Sequence, residues 1–144
     1  MEIYQNILVA IDLSEESVQV LSKAAKLAKN SNAQLSIIHV IEPLGYAYGG
    51  DIPMDLSEVQ QQLDQHARAK LAKFGETYDV PLANQFIEIG KPETEIHRIA
   101  NEKNMDIVIV GSHGRHGFQL LLGSTANAVL HGSQCDVLAV RVGK

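Results

Sequence analysis

Short apolar runs separated by longer amphipathic stretches constrain this chain more than any other feature. Ile7, Leu8, Val9 and Ile11 lie nearly side by side, and so do Leu35, Ile37, Ile38 and Val40. Ile107 to Val110 are unbroken. A strand alternates with polar residues where one face meets water, so near-continuous runs mark strands covered on both faces. The stretches between them repeat at helical spacing. Strands alternating with helices predict an α/β fold built on a parallel sheet.

The expected strands are Asn6 to Ile11, Gln34 to Ile41, Ala83 to Ile89, Asp106 to Val110 and Asp136 to Val142. A first helix follows Asp12–Ser14, where Ser14, Glu16 and Ser17 are cap candidates, and runs to Lys29. Val18, Leu21, Ala25, Leu27 and Ala28 are its expected buried side. A second helix, from Asp55 or Leu56 to Tyr78, carries Leu63, Ala67, Leu71 and Phe74. Pro92 is placed to open a third, with Ile96, Ile99 and Ala100 as its apolar positions. Ser124 to His131 form a fourth, with Ala126, Val129 and Leu130. The sum is one domain over residues 1–144, large enough to bury a stable core. It is a single doubly wound five-stranded parallel sheet, Rossmann-like, with helices on both faces and strand order 3-2-1-4-5. Glu42 to Met54 is the one long irregular stretch, read as a lid or rim over the sheet's carboxyl edge or as a disordered loop.

The net charge of −5, with no basic stripe to offset it, argues against nucleic acid and acidic membranes as partners. Cys135 is the only cysteine, so no intramolecular disulfide forms, which fits a reducing cytoplasm. Beside an apolar strand it reads as a small core or edge residue. The first residues carry no basic leader, and no apolar run approaches the roughly 18 residues that span a bilayer. A soluble, unprocessed cytoplasmic protein is expected.

The candidate chemistry sits between Gly111 and Thr125. Gly111, Gly114 and Gly117 recur at every third position after a buried strand, and Gly123-Ser124 open a helix. Glycines leave the backbone N–H groups bare, and a helix start adds the positive end of its dipole, which together suit a phosphate. The loop contains no acid and carries His113, Arg115 and His116. Turn punctuation is the competing reading of these glycines, and binding is the one they favour. Asp12, at the end of strand one, can accept from a sugar hydroxyl, hold a metal, or form an Asx turn that starts helix one. In a doubly wound sheet these places meet in a crevice if strands one and four are neighbours.

Other site types do not fit. There is no Gly-x-x-x-x-Gly-Lys-Ser/Thr, strand one is not followed by Gly-x-Gly-x-x-Gly, and the histidines lack zinc spacing. His39, inside strand two, reads as a structural histidine. A triad from Ser112 or Ser124 with His113 and Asp12 has no nucleophile elbow to support it.

On three stretches the chain resembles the universal stress protein A family over essentially its whole length. These are Ile7–Glu15 (ILVAIDLSE), Ser36–Ile41 (SIIHVI), and Asp106–Gly114 (DIVIVGSHG) followed by LLLGS up to Ser124 and CDVLAVR up to Arg141. The family's nucleotide-binding branch carries Gly-x2-Gly-x9-Gly-Ser/Thr around the ATP phosphates. Gly111, Gly114, Gly123 and Ser124 match in type, with eight residues rather than nine between Gly114 and Gly123. The resemblance implies ATP (or ADP or AMP) with Mg²⁺ as ligand. It places Asp12 by the ribose, the Val40 backbone at the adenine, Ala10 under the adenosine, and Thr125 behind Ser124 at the phosphates. His113 and Arg115 add charge at the rim.

The resemblance also implies a homodimer through the last strand, and an apolar edge strand invites such pairing. Leu138, Val140 and Val142 are the expected contact residues. No general base with a positioned water is recognisable, so any ATP hydrolysis is expected to be slow or absent. The reading is a dimeric, nucleotide-responsive stress protein. The alternatives are a dimeric interaction protein signalling through unknown protein partners, its shortened loop closed to ATP, and a slow ATPase or phosphotransfer enzyme.

Overall fold

A computed structural model describes residues 3–43, 57–112 and 124–142 and, at Ser124, the backbone alone. Its strands are β1 (Asn6–Ala10), β2 (Gln34–Ile41), β3 (Gln85–Ile89), β4 (Ile107–Gly111) and β5 (Asp136–Val140). Its helices are α1 (Ser17–Ser31), α2 (Ser57–Thr77), α3 (Pro92–Glu102) and α4 (Ser124–Leu130). All strands are parallel, in the order β3-β2-β1-β4-β5. The expected sheet is the observed one. Of the long stretch Glu42–Met54, residues 44–54 lie outside the described residues.

Side-chain alternation along β1 and β4 divides the core into two layers. Ile7, Val9, Ile107 and Ile109 pack with Val20, Leu21 and Ala24 of α1 and Ala67 and Leu71 of α2. Leu8, Val108 and Val110 pack on the other face with Ile96, Ile99 and Ala100 of α3 and Ala126 and Val129 of α4. Both faces are thus covered, which is why the strands carry unbroken apolar runs.

The amino edge of the sheet is tied by carboxylates. Asp106 Oδ2 accepts the backbone N–H groups of Gln5 (2.6 Å) and Asn6 (2.8 Å), aligning β1 with β4. The Tyr4 hydroxyl donates to Asp136 Oδ2 at 2.9 Å, a bond that raises the phenol's pKa above its ordinary value.

Some expected element details are corrected. Val18, Leu63 and Leu130, read as buried, are 45%, 40% and 50% exposed. In α1 Leu21 and Ala28 are buried and Ala25 and Leu27 pack against the core as expected, while Val20 and Ala24 take the central place on that face and Val18 lies outside it. No side chain caps the start of α1: Glu16 occupies the cap position in a helical conformation, and the Ser14 and Ser17 hydroxyls both turn to Asp12. β3 begins at Gln85 because Leu82–Asn84 close a 3₁₀ turn first. β5, expected as the edge strand, leaves Leu138 and Ala139 exposed.

Candidate functional site

β1 and β4 lie side by side, yet α1 leaves β1 for one face of the sheet while α4 follows β4 on the other. At this reversal the connections part, and a crevice opens over the carboxyl ends of the strands. A cavity of about 870 Å³ occupies it. From the α3/α4 side Ala10, Val40, Val110, Thr125 and Ala126 line it. From the α1/α2 side come Leu13, Val20, His66, Ala67 and Lys70, with Asp12 and Gly111 between.

Of the residues singled out by sequence, Ala10, Asp12, Val40, Gly111 and Thr125 therefore meet at one cavity. Ser124 opens α4, with its side chain outside the described residues. His113, Gly114, Arg115 and Gly123 also lie outside them.

Asp12 is an Asx turn in this structure. Its Oδ1 accepts from the Ser14 amide (3.0 Å), the Ser14 hydroxyl (2.6 Å) and the Ser17 hydroxyl (3.1 Å). This fold-back spans Leu13, which is held at a left-handed φ of 65° with its side chain 8% exposed. A leucine in that region costs about 1–2 kcal/mol, offset here by burial and by the Asp12 bonds. The strained residue lines the cavity, where such strain tends to collect. His39 Nδ1 donates to the Ile11 carbonyl at 2.9 Å, fixing the ring beside the end of β1, where it also lines the cavity.

α4 is anchored at its far end. His97 Nε2 donates to the Val129 carbonyl at 2.8 Å, joining α3 to the last turn of α4. At the other end of the helix Thr125 and Ala126 line the cavity. Sequence reading missed Leu13, His66 and Lys70. His66 and Lys70 stand four apart on α2, a spacing equally at home on a solvated helix face, so only packing reveals their place.

Among the described residues, no three His, Cys, Asp or Glu side chains approach closely enough to cage a metal ion. Mg²⁺ delivered with a nucleotide needs no such cage, since phosphates and water supply most of its ligands. Cys135 is half-buried against the α3/α4 core, and burial raises its thiol pKa above the usual value. Among the described residues, no helix is long and apolar enough to cross a membrane.

A doubly wound parallel sheet with a crevice at its winding reversal defines a Rossmann-like α/β ligand-binding architecture. The pattern of the universal stress protein family matches residues 3–141, and the chain belongs to that family. It is 42% identical over 139 residues to universal stress protein A homolog 1 of Coxiella burnetii, covering 95% of this chain and 96% of that one. Homolog 2 of the same organism is also 42% identical, covering 99% and 98%.

Among solved structures, the hypothetical protein MJ0577 superposes with a TM-score of 0.81 at 25% identity, covering 98% of each chain. The universal stress protein UspA from Lactobacillus plantarum follows at 0.77 and 22%, covering 96% of this chain and 98% of its own. A universal stress protein in complex with cAMP shares the fold at 0.67 and 23%, covering 96% and 97%.

Proposed function

We propose that this protein binds an adenine nucleotide, ATP with Mg²⁺, in the crevice over β1 and β4, and acts as a homodimeric, nucleotide-responsive switch in the stress response. The observation that carries the reading is the meeting of Ala10, Asp12, Val40, Gly111 and Thr125 at one cavity beside the start of α4. Ala10 and Val40 are a small and a branched residue on the α3/α4 side, suited to the flat face of a base. Asp12 supplies a carboxylate for ribose hydroxyls. Gly111 permits close backbone approach, and the start of α4 directs N–H groups at phosphate oxygens. Gly114, Gly123, Ser124, His113 and Arg115 complete the phosphate side by resemblance to the family's binding branch.

Leu138, 40% exposed on the edge strand β5, would sit in the dimer contact, whereas Val140 and Val142, also expected there, are buried in this chain's own core at 6% and 4%. A reducing cytoplasm suits the lone Cys135. The role proposed is binding rather than turnover.

The test is to denature the purified protein, identify released nucleotide by chromatography, and titrate the emptied chain with ATP–Mg²⁺ in a calorimeter. Stoichiometric adenine nucleotide, or micromolar binding lost in Gly111→Asp, supports the switch. That substitution sets a carboxylate where a phosphate would lie. No nucleotide and no heat at millimolar ATP would overturn the reading in favour of a dimeric interaction protein.

A further inference from the structure

β4 ends at Gly111, and the next residue fastens the chain twice, to the last residue of β5 and to the segment just past it. The Ser112 amide donates to the Val140 carbonyl at 2.7 Å. The Ser112 hydroxyl oxygen accepts the Val142 amide at 3.1 Å. Val142 is 4% exposed, so water does not readily replace that hydroxyl, and a buried N–H without an acceptor is costly. Val142 also lines the cavity, together with Gly111. One serine therefore joins the first residue of the candidate phosphate loop to the last stretch of the edge strand.

The direction of the main-chain groups gives this joint a consequence. Along a strand successive residues turn their N–H and C=O groups to alternate sides. Val140 and Val142 face β4 through Ser112, so the main chain of Arg141 between them faces the open edge. Whatever restrains Gly111 and Ser112 restrains the backbone that edge presents.

We propose that Ser112 is a positioning residue that couples occupancy of the cavity to the edge strand β5. A nucleotide held at Gly111 tightens the Ser112–Val142 bond and steadies the strand edge offered to a second copy of the chain. The coupling is reciprocal, so pairing at the edge strengthens nucleotide binding by the same factor. This inference rests on the nucleotide reading above.

The experiment is amide hydrogen exchange on the full chain, read at Val142 with and without saturating ATP–Mg²⁺. Wild type, Ser112→Ala and Ser112→Thr are compared, with calorimetry on the same samples. Exchange at Val142 should slow by about fivefold or more, the lower end of typical couplings, in wild type and in Ser112→Thr, which keeps the hydroxyl. In Ser112→Ala, nucleotide should still bind while the slowing disappears. Ser112→Cys, close in shape with a weakly accepting sulfur, serves if Ser112→Ala fails to fold. Wild type that binds ATP with Val142 exchange unchanged would overturn the coupling, and so would full slowing in Ser112→Ala. A chain that takes up no ATP in the calorimeter overturns the nucleotide reading and the coupling together, a result distinct from either.

Discussion

Gly75 shows how a single missing methyl holds two elements together. It is buried in the last turns of α2, where a Cβ would collide with the Gln85 side-chain amide and approach Val80 O to 2.8 Å. That amide donates to Val80 O at 2.8 Å, so the glycine makes room for the bond that ties the turn after α2 to the start of β3. In an exposed helix, Gly to Ala stabilises by roughly 0.5–1 kcal/mol. Here Gly75→Ala should instead destabilise by about 1–3 kcal/mol, read as a lower midpoint in urea unfolding. A raised midpoint would show that Gln85 can swing aside.

Asn32 ends α1 in the left-handed region at φ 56°. Asn32→Gly should leave stability nearly unchanged, whereas Asn32→Val should cost about 1–2 kcal/mol, measured the same way. Cys135 belongs to the same scale. Its thiol pKa is raised in the fold, first by burial, so the unfolded chain ionises at lower pH. Stability is therefore undiminished below the unfolded thiol's pKa and falls as pH rises from there through the higher folded value. Iodoacetamide should accordingly alkylate the native protein several-fold more slowly at pH 8 than the urea-unfolded chain.

At the scale of elements, the helices differ in what decides their place. α3 announces itself, since Pro92 starts it and Ile96, Ile99 and Ala100 are its buried stripe, all as the spacing predicts. α1 has apolar residues on more than one side, and packing chose Val20 and Ala24 over Val18. β5 is the apolar edge strand the topology predicts, and its position leaves Leu138 and Ala139 exposed. A partner strand is the physical remedy for such an edge. Wild type should sediment as a dimer and Leu138→Lys as a monomer of near-native stability, because a side chain 40% exposed in one chain contributes little to its own core. A Leu138→Lys variant that remains dimeric would move the interface elsewhere.

At the scale of the whole molecule, the site is a product of topology. Asp12 and Gly111 are 99 positions apart in the chain (111 − 12) and meet because β1 and β4 pair in register, Ile7 with Ile107. A ligand bound across that pairing should stabilise the entire fold. At one hundred times its dissociation constant, ATP–Mg²⁺ should add about 2.7 kcal/mol to wild type and nothing to Gly111→Asp, measured by urea unfolding at fixed nucleotide concentration. A stabilisation of equal size in both would place the ligand outside this crevice.

The sequence by itself determined the architecture. Runs such as Ile107 to Val110 can be satisfied only between two covering layers, and that demand leads to a parallel sheet wound on both faces. It also marked Gly111 and the start of α4, because a glycine loop ahead of a helix is a local signal. What the tertiary structure decided was everything set by neighbours distant in the chain. It turned Oδ1 of Asp12 to Ser14 and Ser17, brought Leu13, His66 and Lys70 to the cavity, and joined Ser112 to Val142. Periodicity reports that a face is apolar, whereas which residue a hydroxyl or carboxylate meets depends on register and crossover geometry. Those belong to the folded chain as a whole.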